Sequence, residues 1–205
     1  MGKSPVHSIK QRVVSGLIWK KKTFRVALLS LTSILAIQIF TVNMKWPAPE
    51  LTKIPVGEKA LMNGLSLCVT DSSIVSPKEF YTSYAVDKKQ QTRLTIEQMT
   101  AQGGQARVLC ITILSTNETE HAITFQADEL MAECGPWSAR LDSDLFQIAN
   151  NSVGTLEIAP SESKEICLFY DLYYQHFDTS AWENIETLPF ALTVSLYPQK
   201  ILLCV

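Results

Sequence analysis

Residues 26–44 (VALLSLTSILAIQIFTVNM) carry no charge and directly follow a cluster of Lys and Arg. An α-helix rising about 1.5 Å per residue needs roughly 17 to 25 such residues to cross the hydrocarbon core of a bilayer. The run predicts one transmembrane helix, and every other expectation is ordered around it. Its exit, Val42-Asn43-Met44-Lys45-Trp46-Pro47, lacks the small-x-small site of a cleaved signal peptide. An uncleaved signal-anchor is therefore expected, with Trp46 as its interfacial aromatic.

Charge gives the expected orientation. Up to Lys45 the chain holds eight basic residues and no acid, and seven of the eight precede the span. Basic flanks stay on the cytoplasmic side, which puts the N-terminus inside and the C-terminal part outside the cell membrane. Removing those eight from the 18 basic residues leaves ten against all 20 acidic ones, a formal charge of about −10 from residue 46 onward. An outer domain this acidic is a poor partner for nucleic acid.

The expected order is a cytoplasmic basic leader over 1–25, the span over 26–44, an extracytoplasmic stalk over 45–57 and one domain over 58–205. The stalk follows from three prolines and a lack of periodicity in WPAPELTKIPVG, 46–57. The domain is long enough for a real core. Its clearest segments are short, alternating or β-branched: 65–70 (LSLCVT), 106–114 (ARVLCITIL), 121–125 (HAITF), 154–158 (GTLEI), 165–172 (EICLFYDL) and 190–197 (FALTVSLY). Short strands bounded by turn residues predict a mainly β fold, an antiparallel sandwich. The polar stretch 87–105 reads as a loop or a poor helix. Ser180-Ala181-Trp182-Glu183 has the spacing of a capping box and predicts a short helix from Ala181 to about Thr187.

The segment 63–70 (NGLSLCVT) resembles the opening strand of the immunoglobulin-like domains of extracytoplasmic bacterial lipoproteins, the group similar in fold to the mycobacterial immunoprotective extracellular protein. The segment 106–125 resembles that group's central hairpin. The segment 156–164 (LEIAPSESK) is similar to its late proline-turn-strand element, with Ser161 where the group usually has Gly. The resemblance covers roughly residue 56 to the C-terminus. It implies an immunoglobulin-like sandwich and no assigned chemistry.

No residue pattern marks a catalytic centre or a cofactor site. His7, His121 and His176 are scattered, and Asp142-Ser143-Asp144 reads as a solvated turn rather than a calcium loop. Asn117-Glu118-Thr119 and Asn150-Asn151-Ser152 match the glycosylation sequon but are read as turns. Of five cysteines, strand parity turns Cys68, Cys110, Cys167 and Cys204 away from the apolar face, which favours reduced, partly buried thiols over a bridge through the core, with one lateral disulfide within a sheet as the alternative. Cys134, in the turn before Trp137, is the one candidate for a reactive thiol, and an enzyme or redox accessory acting through it or through an unrecognised cleft is the alternative function. The aromatic crowd after 165–172 is the other foothold. Tyr173, Tyr174 and Phe177, with Trp137, are the expected contacts for an envelope or membrane protein partner.

Overall fold

The computed structural model describes residues 6–84 and 105–205. The polar stretch 87–104 lies outside them. The chain forms two compact units, 1–48 and 49–205. In the first, helix α1 (Val6–Lys45) takes in both the basic leader and the apolar run. Its Ala27–Lys45 window has a mean hydropathy of 1.7 and none of it is buried. At about 1.5 Å per residue those 19 residues extend about 28 Å, long and apolar enough to cross a membrane.

The second unit is a mainly β sandwich. Its strands are β1 (Glu50–Ile54), β2 (Lys59–Met62), β3 (Leu65–Val75), β4 (Ala106–Asn117), β5 (Ile123–Gln126), β6 (Met131–Cys134), β7 (Trp137–Arg140), β8 (Thr155–Ile158), β9 (Ser163–Tyr173), β10 (Ala191–Ser195) and β11 (Gln199–Cys204). Helices α2 (Pro77–Tyr84), α3 (Ser143–Asn150) and α4 (Thr179–Glu183) join them. One sheet runs β1-β11-β10-β6-β7, the second β2-β3-β4-β9, and β5-β8 form a two-stranded ribbon. All six segments expected to be strands are strands. The pairing departs from a purely antiparallel sandwich at one place, because β1 lies parallel to β11 with Glu50 opposite Gln199. That strand occupies part of the segment read as a stalk, so the folded domain starts directly after Pro49.

Alternation builds the core. Leu65, Leu67 and Val69 on β3, Leu109, Ile111 and Ile113 on β4, and Ile166, Leu168, Tyr170 and Leu172 on β9 all face inward and are buried. The deepest polar atom among them, Tyr170 Oη, donates to the Leu130 carbonyl at 3.1 Å. Across the sandwich Ala132, Leu192 and Leu203 complete the same cluster.

The opposite face of the second sheet is covered as well. A reciprocal capping box starts α2: Ser76 N–H donates to the Glu79 carboxylate at 2.7 Å, and Glu79 N–H to Ser76 Oγ at 3.2 Å. Pro77 occupies the first helical position, where its missing N–H costs nothing. The helix lays Phe80, fully buried, edge-on to Phe169 at 5.0 Å, and Tyr84 edge-on to the same ring at 5.2 Å. Cys110 and Cys167 therefore point away from the core, as parity requires, yet Cys110 is buried. All five cysteines are free. The alternative of a lateral bridge meets a register obstacle: Cys110 opposes Phe169 and Cys167 opposes Thr112, a diagonal offset of about 7–8 Å, beyond disulfide reach.

The edge of β9 is closed by side chains rather than by a strand. Asn150 Nδ2 donates to the Cys167 carbonyl at 2.9 Å and its Oδ1 accepts from Cys167 N–H at 3.3 Å, while Asp142 N–H donates to the Phe169 carbonyl at 2.9 Å. Asp142 also caps α3, its Oδ1 accepting from Leu145 N–H at 2.8 Å. The expected short helix near Ser180 exists as α4, but its cap is Asp178, whose Oδ1 accepts from Ala181 N–H at 2.8 Å. Asp is as good a cap as Ser, and two residues earlier it wins the start.

Asn117 locks the end of β4. It is fully buried; Nδ2 donates to the carbonyls of His121 (2.7 Å) and Ile158 (3.0 Å), and Oδ1 accepts from Thr119 N–H (2.9 Å) and Thr119 Oγ1 (2.7 Å). Its backbone N–H donates to Glu162 O and its carbonyl accepts from Ser161 N–H. Ser161 sits at φ +59°, the left-handed region that favours Gly.

Two stability predictions follow from these contacts. Asn117→Ala takes the amide donor from the Ile158 carbonyl and the acceptor from Thr119 N–H, while the His121 carbonyl keeps Thr119 Oγ1, and should cost about 2–3 kcal/mol in a urea titration. Ser161→Gly should gain roughly 0.5 kcal/mol, since a left-handed residue costs about 1–2 kcal/mol while glycine adds about 0.5–1 kcal/mol of unfolded-chain entropy.

Candidate functional site

β7 is the outer strand of the five-stranded sheet, and among the described residues no strand pairs with its free edge. It is connected to β6 by Gly135-Pro136, with Cys134 opposite Trp137. Gly135 has φ +57°, as the first central position of a type II′ hairpin turn demands, and the ring of Pro136 suits the second. A groove of about 630 Å³ lies here, lined by Pro136 to Asp142 and by Asp171, Tyr173 and His176.

The groove is aromatic at one end and charged at the other. Trp137, only 8% exposed, forms the aromatic wall and is held between Phe177 (5.6 Å, tilted) and Phe190 (5.6 Å, edge-on). Tyr173 Oη donates to Asp171 Oδ2 at 2.9 Å, and its ring meets His176 edge-on at 5.7 Å. Asp171 stands on the outer face of β9. Its Oδ1 is buried and accepts no hydrogen bond. Burial above all, and then the charge of Asp142 beside it, push the Asp171 carboxyl up to about 7. Burial and the neighbouring Asp171 charge push the Tyr173 phenol up in turn. When Asp171 is protonated, its hydroxyl can donate to the Asp142 carboxylate, which satisfies the orphaned oxygen.

Of the four residues expected to contact a partner, Trp137 and Tyr173 line the groove; Tyr174 and Phe177 do not. Phe177 is half-buried between Trp137 and Trp182, 6.1 Å away, and Tyr174 rests edge-on to Trp182 at 5.9 Å with its hydroxyl bonded to Thr179. Arg107 lies over the Trp182 ring at 5.8 Å. These rings pack against one another edge-on or tilted. The sequence reading passed over Arg140 and Asp171. An Asp at an outward position of an alternating strand, two residues before Tyr173, is the signal that would have found the second. Asp142, read as a solvated turn, is a helix cap and a groove wall.

Cys134 is half-buried, and burial raises its thiol, the direction opposite to activation. Among the described residues no three His, Cys, Asp or Glu side chains are grouped to hold a metal ion.

A raised carboxyl makes a signed prediction. The folded state holds the Asp171 proton more tightly than the unfolded chain, whose Asp titrates near about 3.9. This contribution to stability is complete below about pH 4 and lost as pH rises through about 7. Its slope is bounded by about 1.4 kcal/mol per pH unit. Urea titrations from pH 5 to 8 should show stability falling in the native chain and a flatter profile in Asp171→Asn.

A family match covers most of the chain: residues 52–201 match the family described as Domain of unknown function (DUF5028). Among solved structures, an uncharacterized β-sandwich protein from Clostridium difficile 630 is 11% identical, with 76% of this chain and 95% of that one covered and a TM-score of 0.41. The ycdA protein of Bacillus subtilis, described provisionally as a lipoprotein, is 10% identical over 72% of this chain and 38% of that one, with a TM-score of 0.43. A conserved hypothetical protein from Bacillus anthracis is 11% identical over 72% and 93%, with a TM-score of 0.40. No protein with a curated description matches the chain. The specific likeness to the mycobacterial immunoprotective extracellular protein has no support in these matches; membership of a family of unknown function does.

Proposed function

The chain belongs to the family described as Domain of unknown function (DUF5028), and we propose that it is a single-pass, membrane-anchored binding protein whose sandwich takes up an extended segment of another envelope protein along the edge of β7. The observation that carries this reading is the groove itself. A free strand edge offers backbone hydrogen bonds, and the walls offer selection: Trp137 for an apolar side chain, Arg140, Asp142 and Asp171 for charged ones. The other sheet edge in this region, β9, is closed by Asn150 and Asp142, whereas among the described residues no strand pairs with the outer edge of β7. The basic leader and the unburied apolar window of α1 support an anchor with a cytoplasmic N-terminus and an extracytoplasmic domain. No cofactor is needed for such a role. The alternative of an enzyme or redox accessory acting through Cys134 gains nothing from a thiol raised by burial.

A photo-crosslinking residue placed at Arg140 of the full-length chain in its own membrane should trap one specific protein, and the same residue at Val153 should not. Filling the groove with Ser138→Trp should remove that adduct while the thermal midpoint stays within a few degrees. Identical adducts from both positions, or none from Arg140, would overturn the binding reading.

A further inference from the structure

Among the described residues of the folded domain six large hydrophobic side chains are exposed: Leu51, Val56, Leu61, Val153, Leu196 and Tyr197. Three of them, Leu51, Leu196 and Tyr197, gather at the end of the domain where the chain arrives from α1, because the pairing of β1 with β11 is parallel. Glu50 lies opposite Gln199, so the residues before Gln199 run back along the same direction as the residues before Glu50. The turn that joins β10 to β11, residues 196–198, thus protrudes past the start of β1. Leu196 is 61% exposed and Tyr197 51% exposed.

Contour length sets how far that turn can stand from a bilayer. Trp46 N–H still bonds to the Val42 carbonyl at 2.8 Å, so the helical backbone persists to Trp46. From Trp46 to Glu50 there are four residue steps, at most about 14 Å when fully extended. In the parallel register Tyr197 precedes Gln199 by two residues, as Ala48 precedes Glu50. We infer that residues 196–198 form a second, peripheral membrane contact, with Leu196 and Tyr197 resting in the interface of the bilayer that α1 spans. A leucine and a tyrosine suit that zone, one presenting an apolar body and the other an apolar ring with a polar tip. The contact is apolar rather than electrostatic. Glu50 is acidic, and the exposed Asp128 and Glu129 precede β6, whose Met131 pairs with Thr193 toward the same end. The inference rests on the anchored reading of α1.

The test uses the full chain in nanodiscs of phosphatidylcholine and phosphatidylglycerol containing a phosphatidylcholine with a diazirine on its acyl chain, followed by peptide mapping of the photoadducts. Labelling is expected in α1 and, several-fold above the Val153 peptide, in the peptide holding Leu196 and Tyr197, with no loss at high salt. Leu196→Ser with Tyr197→Ser should bring the turn down to the Val153 level and leave α1 unchanged. A labelled α1 with a turn no brighter than Val153 would overturn the contact alone; an unlabelled α1 would overturn the anchor and the contact with it.

Discussion

The four-stranded sheet has to be dry on both faces, and much of the domain is a response to that requirement. Its inner face is closed by the opposing sheet. Its outer face carries Cys110 and Phe169, which no alternating surface strand would leave to water. α2 exists to cover them: Pro77 and the Ser76–Glu79 box start it, and Phe80 and Tyr84 deliver the cover. Closure of the β9 edge by Asn150 and Asp142 belongs to the same enclosure, since an open edge beside a buried face would leave backbone groups without partners. With β9 closed, β7 is an edge that no strand pairs among the described residues, and its residues line the groove.

Asn117, fully buried, and Asp171, half-buried, show how differently the same enclosure treats a polar group. Asn117 is given partners for both of its donor hydrogens and two donors for its oxygen, and so fastens the turns after β4 and β8. Asp171 is given one donor, a neighbouring carboxylate and an empty position at Oδ1. The first arrangement is purely structural. The second keeps unfavourable electrostatics at the wall of a groove, where strain of this kind tends to be retained for a purpose.

Much of the sandwich was legible in the chain because its longer strands alternate. β3, β4 and β9 declare their inner faces through Leu65-Leu67-Val69, Leu109-Ile111-Ile113 and Ile166-Leu168-Tyr170, and parity even oriented the cysteines. It could not show that the outer face would be covered, since Phe80 lies on a helix far from Phe169 in sequence. β1, β2, β6 and β7 escaped notice because four or five residues give little periodicity and β1 is flanked by Pro49 and Pro55. The aromatic crowd was visible, but not that Phe177 would spend its face on Trp137 and Trp182. Arg140 and Asp171 were hidden for the opposite reason: each is ordinary in its own strand and meaningful only once β7 and β9 stand across a groove.

The parallel pairing of β1 with β11 has a mechanical consequence. Tension reaching the domain through residue 49 runs along β1 and loads its five register pairs together, in shear, rather than peeling them one at a time. Hydrogen bonds strained side by side yield at a far higher force than bonds opened in sequence. A domain fastened in this way resists having its first strand drawn out of the sheet by tension through residue 49.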